Sequence, residues 1–111
     1  MELEERAFRR RIQKKVQVFC EKNSISGSPE SRLLDTISEL GELAKEVLLA
    51  SDYGKNTLKN NDKLELEIGD LIFSIITLSN SLEVNIENAL DRSLKKYNKR
   101  LANGHLGSKE A

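Results

Sequence analysis

Two segments of this 111-residue chain repeat apolar residues every third or fourth position, and nothing in it alternates with a strand-like period over a useful length. Leu33, Thr36, Leu40, Leu43, Ala44 and Val47 form one stripe, and Leu64, Ile68, Leu71, Ile72, Ile75 and Leu82 form the other. That periodicity confines the chain to an all-α fold. A further helix is predicted from about Leu3 to Glu21, where Phe8, Ile12, Val16 and Phe19 recur at helical spacing, and the turn-rich stretch Asn23 to Gly27 ends it. Ser28 followed by Pro29 reads as an N-cap with proline at the first helical position, so a second helix should run from Pro29 to about Ser51. Asp62 with Glu65 three residues later has the form of a capping box and starts a third helix ending near Ser81. Asn85 caps a fourth, which stops at Asn103-Gly104 after Ala102. The expectation is an antiparallel four-helix bundle-type protomer occupying one domain, residues 1–104, with 105–111 as a frayed tail.

Composition narrows the chemistry. With one histidine, His105, and one cysteine, Cys20, neither a His/Cys zinc site nor a disulfide framework can be assembled in one protomer. Lys plus Arg balance Asp plus Glu at 18 each, which removes the global basic excess that drives nucleic-acid binding. A local basic run, Arg6, Arg9, Arg10, Arg11, Lys14 and Lys15, is partly offset by Glu2, Glu4, Glu5 and Glu21, and reads as a solvated face. No glycine-rich phosphate loop occurs. The longest nearly uninterrupted apolar stretch, Leu71 to Leu78, is too short to span a bilayer and no signal pattern opens the chain, so a cytoplasmic location is expected.

The chemistry that remains lies in carboxylates. Asp35, Glu39, Glu42 and Glu46 follow i, i+4, i+7, i+11 spacing along the flank of the second helix, and Glu67 and Asp70 hold the equivalent flank of the third. A loop of roughly ten residues favours antiparallel packing of these helices. The midpoint of the acids falls inside that loop, so the two E-x-x-[ED] pairs should meet at similar heights. Such a concentration of negative charge destabilises the fold unless a cation neutralises it, and oxygen-only donors suit Mg²⁺ or Mn²⁺ with a phosphorylated substrate completing the shell. Gly41 and Gly69, inside helices beside these acids, suggest close approach of a backbone or ligand.

The run Glu39-Leu-Gly-Glu42-Leu-Ala-Lys-Glu46, then Glu67-Ile-Gly-Asp70-Leu-Ile-Phe-Ser, then Ile86 to Leu90 leading into Lys95 to Arg100, resembles the MazG-like all-α nucleoside triphosphate pyrophosphohydrolases over residues 29–102. The resemblance implies hydrolysis of a nucleoside triphosphate between its α- and β-phosphates to monophosphate and pyrophosphate. It implies Mg²⁺ held by Glu39, Glu42, Glu67 and Asp70, with Lys96 and Arg100 facing the phosphates. Many relatives have a second glutamate before the first motif acid; this chain has Ser38, and Glu46 is the substitute on hand. Some relatives stack a tryptophan on the base; here Tyr53, in the loop, is the available aromatic. Without a histidine in the constellation, a water acidified by the cation is the expected nucleophile, with Glu39 or Glu42 as its base.

Leu66, Phe73 and Ile76 lie away from the main stripe of the third helix, so that helix should be buried on more than one side. A homodimer or homotetramer is therefore expected, in keeping with the family's habit. Two rivals remain: a non-catalytic helical interaction module whose acidic column meets a basic partner, and a phosphoribosyl-ATP pyrophosphatase of the same superfamily.

Overall fold

A computed structural model describes residues 11–104. Within them the chain forms four helices and no strand: α1 (Arg11–Lys22), α2 (Pro29–Ala50), α3 (Asp62–Ser81) and α4 (Ile86–Ala102). The start of the first predicted helix, with Phe8, Arg6, Arg9 and Arg10, and the tail with His105 lie outside the described residues.

The helix boundaries follow their punctuation. Ser28 Oγ accepts the Ser31 N–H at 3.1 Å, and Pro29 takes the first turn of α2. The cap of α3 differs from expectation by one residue. Asn61, in extended conformation, accepts the Leu64 N–H at 3.0 Å, whereas Asp62 is already helical and, with Glu65, places negative charge in the first turn. Asn85 Oδ1 accepts the Asn88 N–H at 2.9 Å to open α4, and Gly104 follows its end at φ 90°.

α2 and α3 make the principal pairing, and α1 lies across α3. The turn after α2 is tight because Asp52, Tyr53 and Gly54 all adopt positive φ, at 49°, 58° and 83°. Ser51, buried beneath it, donates to the Val47 carbonyl and accepts the Gly54 N–H at 3.1 Å.

The apolar stripes pack only in part: Leu64 is buried and Leu43 and Leu71 are half-buried, while most of the other members are exposed. Among the described residues only Leu64 and Ile76 are buried apolar side chains, and Ile76, at 3% exposure, is an off-stripe position. Phe73, also off-stripe, meets Phe19 of α1 edge to face, with ring centroids 5.9 Å apart. The predicted stripes remain largely open: Leu33, Leu40 and Val47 of α2 and Ile68, Ile72, Ile75 and Leu82 of α3 are all exposed. So α1 meets α3 at Phe73, on the side expected to need a partner, and much of the side expected to be the core of one chain stays open.

A polar pin fixes α1 in place. Buried Gln13 donates from Nε2 to Asn80 Oδ1 (2.9 Å) and to the Val84 carbonyl (2.8 Å), and its Oε1 accepts the Ile86 N–H (2.9 Å). Asn80 Nδ2 returns a bond to the Gln13 carbonyl at 3.1 Å. One side chain thus ties α1 to the end of α3 and the start of α4.

The fourth helix departs from a closed bundle, since α4 makes no more than marginal contact with the other helices among the described residues. The radius of gyration, 17.2 Å, exceeds the value of about 13 Å expected for a compact domain of this length. A separate four-helix bundle closed within one chain is therefore not what these helices form.

Candidate functional site

Antiparallel packing of α2 against α3 brings together carboxylates from both. Glu39, Glu67 and Asp70 each contribute an oxygen, and these three oxygens lie within 4.8 Å of one another. The local reason is register: Glu39 belongs to the flank of α2, and Glu67 and Asp70, one turn apart, share a flank of α3. Glu39 and Glu67 are half-buried at the seam and Asp70 is exposed.

Glu42 and Glu46 stand just outside that trio, but their charge reaches it. The Glu67 carboxyl is held above its ordinary value of 4.5, first by desolvation at the seam and then by the charges of Asp70, Glu42, Glu39 and Glu46. The charges of the other four acids thus all bear on Glu67, and a cation at the seam would be favoured by them. Among the described residues this is where three such side chains come within reach of one ion.

The seam opens into a groove of about 310 Å³ running toward the N-terminal half of α2, lined by Arg32, Asp35, Glu39, Asp70, Phe73, Ser74 and Thr77. Arg32, Phe73, Ser74 and Thr77 were not picked out from sequence as site residues. Their signal was present in the spacing: Arg32, Asp35 and Glu39 stand at i, i+3, i+7, and Asp70, Ser74 and Thr77 at i, i+4, i+7. A larger recess of about 680 Å³ at the α1, α3 and α4 junction is bounded by Gln13 and Asn80, whose amides are engaged with each other and with backbone, which marks it as a structural joint.

Other sequence-predicted positions lie elsewhere. Tyr53 is 65% exposed in the turn after α2, at the opposite end of that helix from the groove, and does not line it. Lys96 and Arg100 are on α4 and likewise do not line the groove; Lys96 Nζ sits 4.9 Å from the centroid of the Tyr97 ring. A Cβ added at Gly41 or Gly69 would meet nothing within 4 Å. The close approach expected at these two glycines is therefore not made among the described residues.

Comparison with known proteins gives one consistent result. The MazG nucleotide pyrophosphohydrolase domain matches residues 27–105. YpjD of Bacillus subtilis (strain 168) is 40% identical over 76 residues, covering 66% of this chain and 67% of that protein. The Gene 37 protein of Mycobacterium phage L5 is 33% identical over 70 residues, 61% of each chain. The crystal structure of B. subtilis YpjD superposes with a TM-score of 0.69 at 34% identity, over 81% of this chain and 94% of that one. That of the Bacillus-conserved MazG protein, a nucleotide pyrophosphohydrolase, gives 0.67 at 26% identity, over 93% and 95%.

Proposed function

The chain belongs to the MazG nucleotide pyrophosphohydrolase domain family and is a hydrolase of that kind, and we propose that it cleaves the α–β phosphoanhydride of a nucleoside triphosphate to monophosphate and pyrophosphate with a divalent cation. The observation that carries this reading is the approach of Glu39, Glu67 and Asp70 oxygens to within 4.8 Å across the α2–α3 seam, at the mouth of a groove of nucleoside size.

The donor set fits a hard cation. Opposite oxygens of a Mg²⁺ shell stand about 4.2 Å apart, twice the metal–oxygen distance, so small side-chain adjustments suffice here. Carboxylates without nitrogen or sulfur donors favour Mg²⁺ or Mn²⁺ over zinc. The cation, when bound, supplies a Lewis acid for the phosphate oxygens and acidifies water.

The chain's own residues do the rest. Glu39, Glu67 and Asp70 would hold the cation, which would place the α-phosphate at the seam. Glu42 lies outside the trio while its charge reaches Glu67, so in this reading it is not needed as a cation donor and is assigned, over Glu39, as the base that accepts the proton of the attacking water. Water adds to the α-phosphorus, the bridging oxygen departs with pyrophosphate, and the proton passes to that carboxylate. Glu46 serves in the outer shell.

Lys96 and Arg100 complete the phosphate site in this reading, and because α4 stands away from its own hairpin they do so in an assembled homo-oligomer. The open apolar faces of α2 and α3, Leu40 at 54% exposure and Ile72 at 46%, support a dimer or tetramer. Base contact by Tyr53 has less support than contact within the groove. No helix among the described residues is long and apolar enough to cross a membrane; a cytoplasmic enzyme of one domain, residues 1–104, is the reading that goes with a nucleotide substrate. A pyrophosphate-release panel over nucleoside triphosphates, with Mg²⁺ or Mn²⁺ and with chelator, tests it. Absence of cation-dependent release from every nucleotide would overturn it.

A further inference from the structure

Arg32 is the least expected member of the groove. Its side chain is only 12% exposed, yet its guanidinium makes no hydrogen bond among the described residues. Its one charge partner, Asp35, is 4.0 Å away from Nη1, beyond hydrogen-bonding distance. No buried side-chain nitrogen among the described residues lacks a partner, so the guanidinium nitrogens keep access to solvent at the groove that Arg32 lines, with five N–H donors to offer. Gly27 adjoins that place: a Cβ there would stand 2.9 Å from Ser31 Oγ, 3.2 Å from Arg32 Nε and 3.3 Å from Cζ.

Position and charge decide what those donors meet. Arg32 lies seven residues before Glu39, and Thr77 seven after Asp70, so the groove extends about 10 Å from the acids. Resting on the reading that the acids hold the cation and the α-phosphate, this is the end reached by the nucleobase. Asp35 offsets the charge of Arg32, which suits a neutral ligand better than a polyphosphate. Phe73 offers an apolar surface, and the buried Ser74 and Thr77 line the wall. A planar fork of donors matches two acceptors on one edge of a base, and the O6/N7 edge of a 6-oxopurine presents that pair, whereas adenine replaces O6 with an amino donor.

We propose that Arg32 is a specificity-determining residue that reads the O6/N7 edge of a 6-oxopurine nucleotide in the groove between α2 and α3, with Gly27 adjoining its guanidinium. Asp35 then accepts from the N–H groups on the neighbouring edge of the same base.

The test uses the full chain with Mg²⁺ and two readouts. Calorimetric binding of GMP, IMP and AMP reports base preference without turnover, and pyrophosphate release from GTP, ATP and 7-deaza-GTP reports it in kcat/KM. The expected result is a preference for GMP and IMP over AMP, and for GTP over both ATP and 7-deaza-GTP, of at least about fivefold, the lower end for one bidentate base contact. Arg32→Met and Arg32→Lys should both reduce it to within about twofold, the lysine variant because it keeps the charge and loses the fork. Gly27→Ala should reduce it in part, and circular dichroism verifies that each variant is folded. No preference in the wild type, a preference unchanged in folded Arg32→Met, or equal weakening of every nucleotide would each overturn the proposal. Release of pyrophosphate without base preference would overturn this inference and leave the hydrolase reading intact; base-selective monophosphate binding without any pyrophosphate release would do the reverse.

Discussion

Glu39 and Asp70, 31 residues apart in sequence, each bring a carboxylate oxygen to within 4.8 Å of the other across the α2–α3 seam. Like charges brought that close disfavour the register, and a cation between them would offset the repulsion.

Asp70→Asn and Glu42→Gln should fail in different ways. Both are expected to lower Mg²⁺-dependent pyrophosphate release by about 100-fold or more. Asp70→Asn should also lose the rise in thermal midpoint that Mg²⁺ gives the wild type, because it removes a cation donor, whereas Glu42→Gln should keep that rise because it removes only a base. Helical circular dichroism should be unchanged in both. Wild-type turnover in either variant would contradict the role assigned to it.

The raised affinity of Glu67 for its proton makes stability depend on pH with a definite sign. A carboxyl that titrates higher in the folded than in the unfolded chain favours folding while protonated, and that contribution is lost as pH rises through its folded value. In chelator, the thermal midpoint should therefore fall as pH rises from the ordinary value of 4.5 through the raised one. With Mg²⁺ the trend should reverse, since the cation requires ionised donors. Glu67→Gln should flatten both curves in scanning fluorimetry, and unchanged curves would show that Glu67 is not the group responsible.

Removing the Gln13 side chain should cost far more than its single position suggests. Gln13→Ala leaves Asn80, the Val84 carbonyl and the Ile86 N–H without their partner. A loss of about 1–3 kcal/mol is expected from chemical denaturation, with the junction of α1 and α4 opening to hydrogen exchange first. Pyrophosphate release should decline less than stability, because the pin stands apart from the acid seam.

The open apolar faces predict self-association. Sedimentation at micromolar concentration should give a dimer or tetramer, and Ile72→Glu or Leu40→Glu should shift it toward monomer while retaining helical content. A wild-type monomer would remove the assembly and, with it, the route by which Lys96 and Arg100 meet the phosphates.

Much of this molecule is legible in its residues one by one. Pro29 and Ser81 bound helices as expected, because capping is local: Ser28 and Asn85 satisfy N–H groups only three residues away. The cap at Asn61 rather than Asp62 is a local misassignment between two adjacent residues that both can cap. The meeting of Glu39 with Glu67 and Asp70 was also foreseeable, since helical angle and loop position suffice to align two flanks.

What lies against each face was not legible. Periodicity determined that Ile68, Ile72 and Ile75 share one side of α3 and that Phe73 and Ile76 lie on another, but an apolar face has no sequence mark stating which surface will cover it. Only the tertiary structure decided that α1, anchored through Gln13 and Phe19, takes Phe73, leaving most of the longer stripe open. Only packing revealed the groove that brings Arg32 into line with the acids, because a helix sequence gives each side chain an angle and a height, and a cavity exists only where two such surfaces fail to fill the space between them.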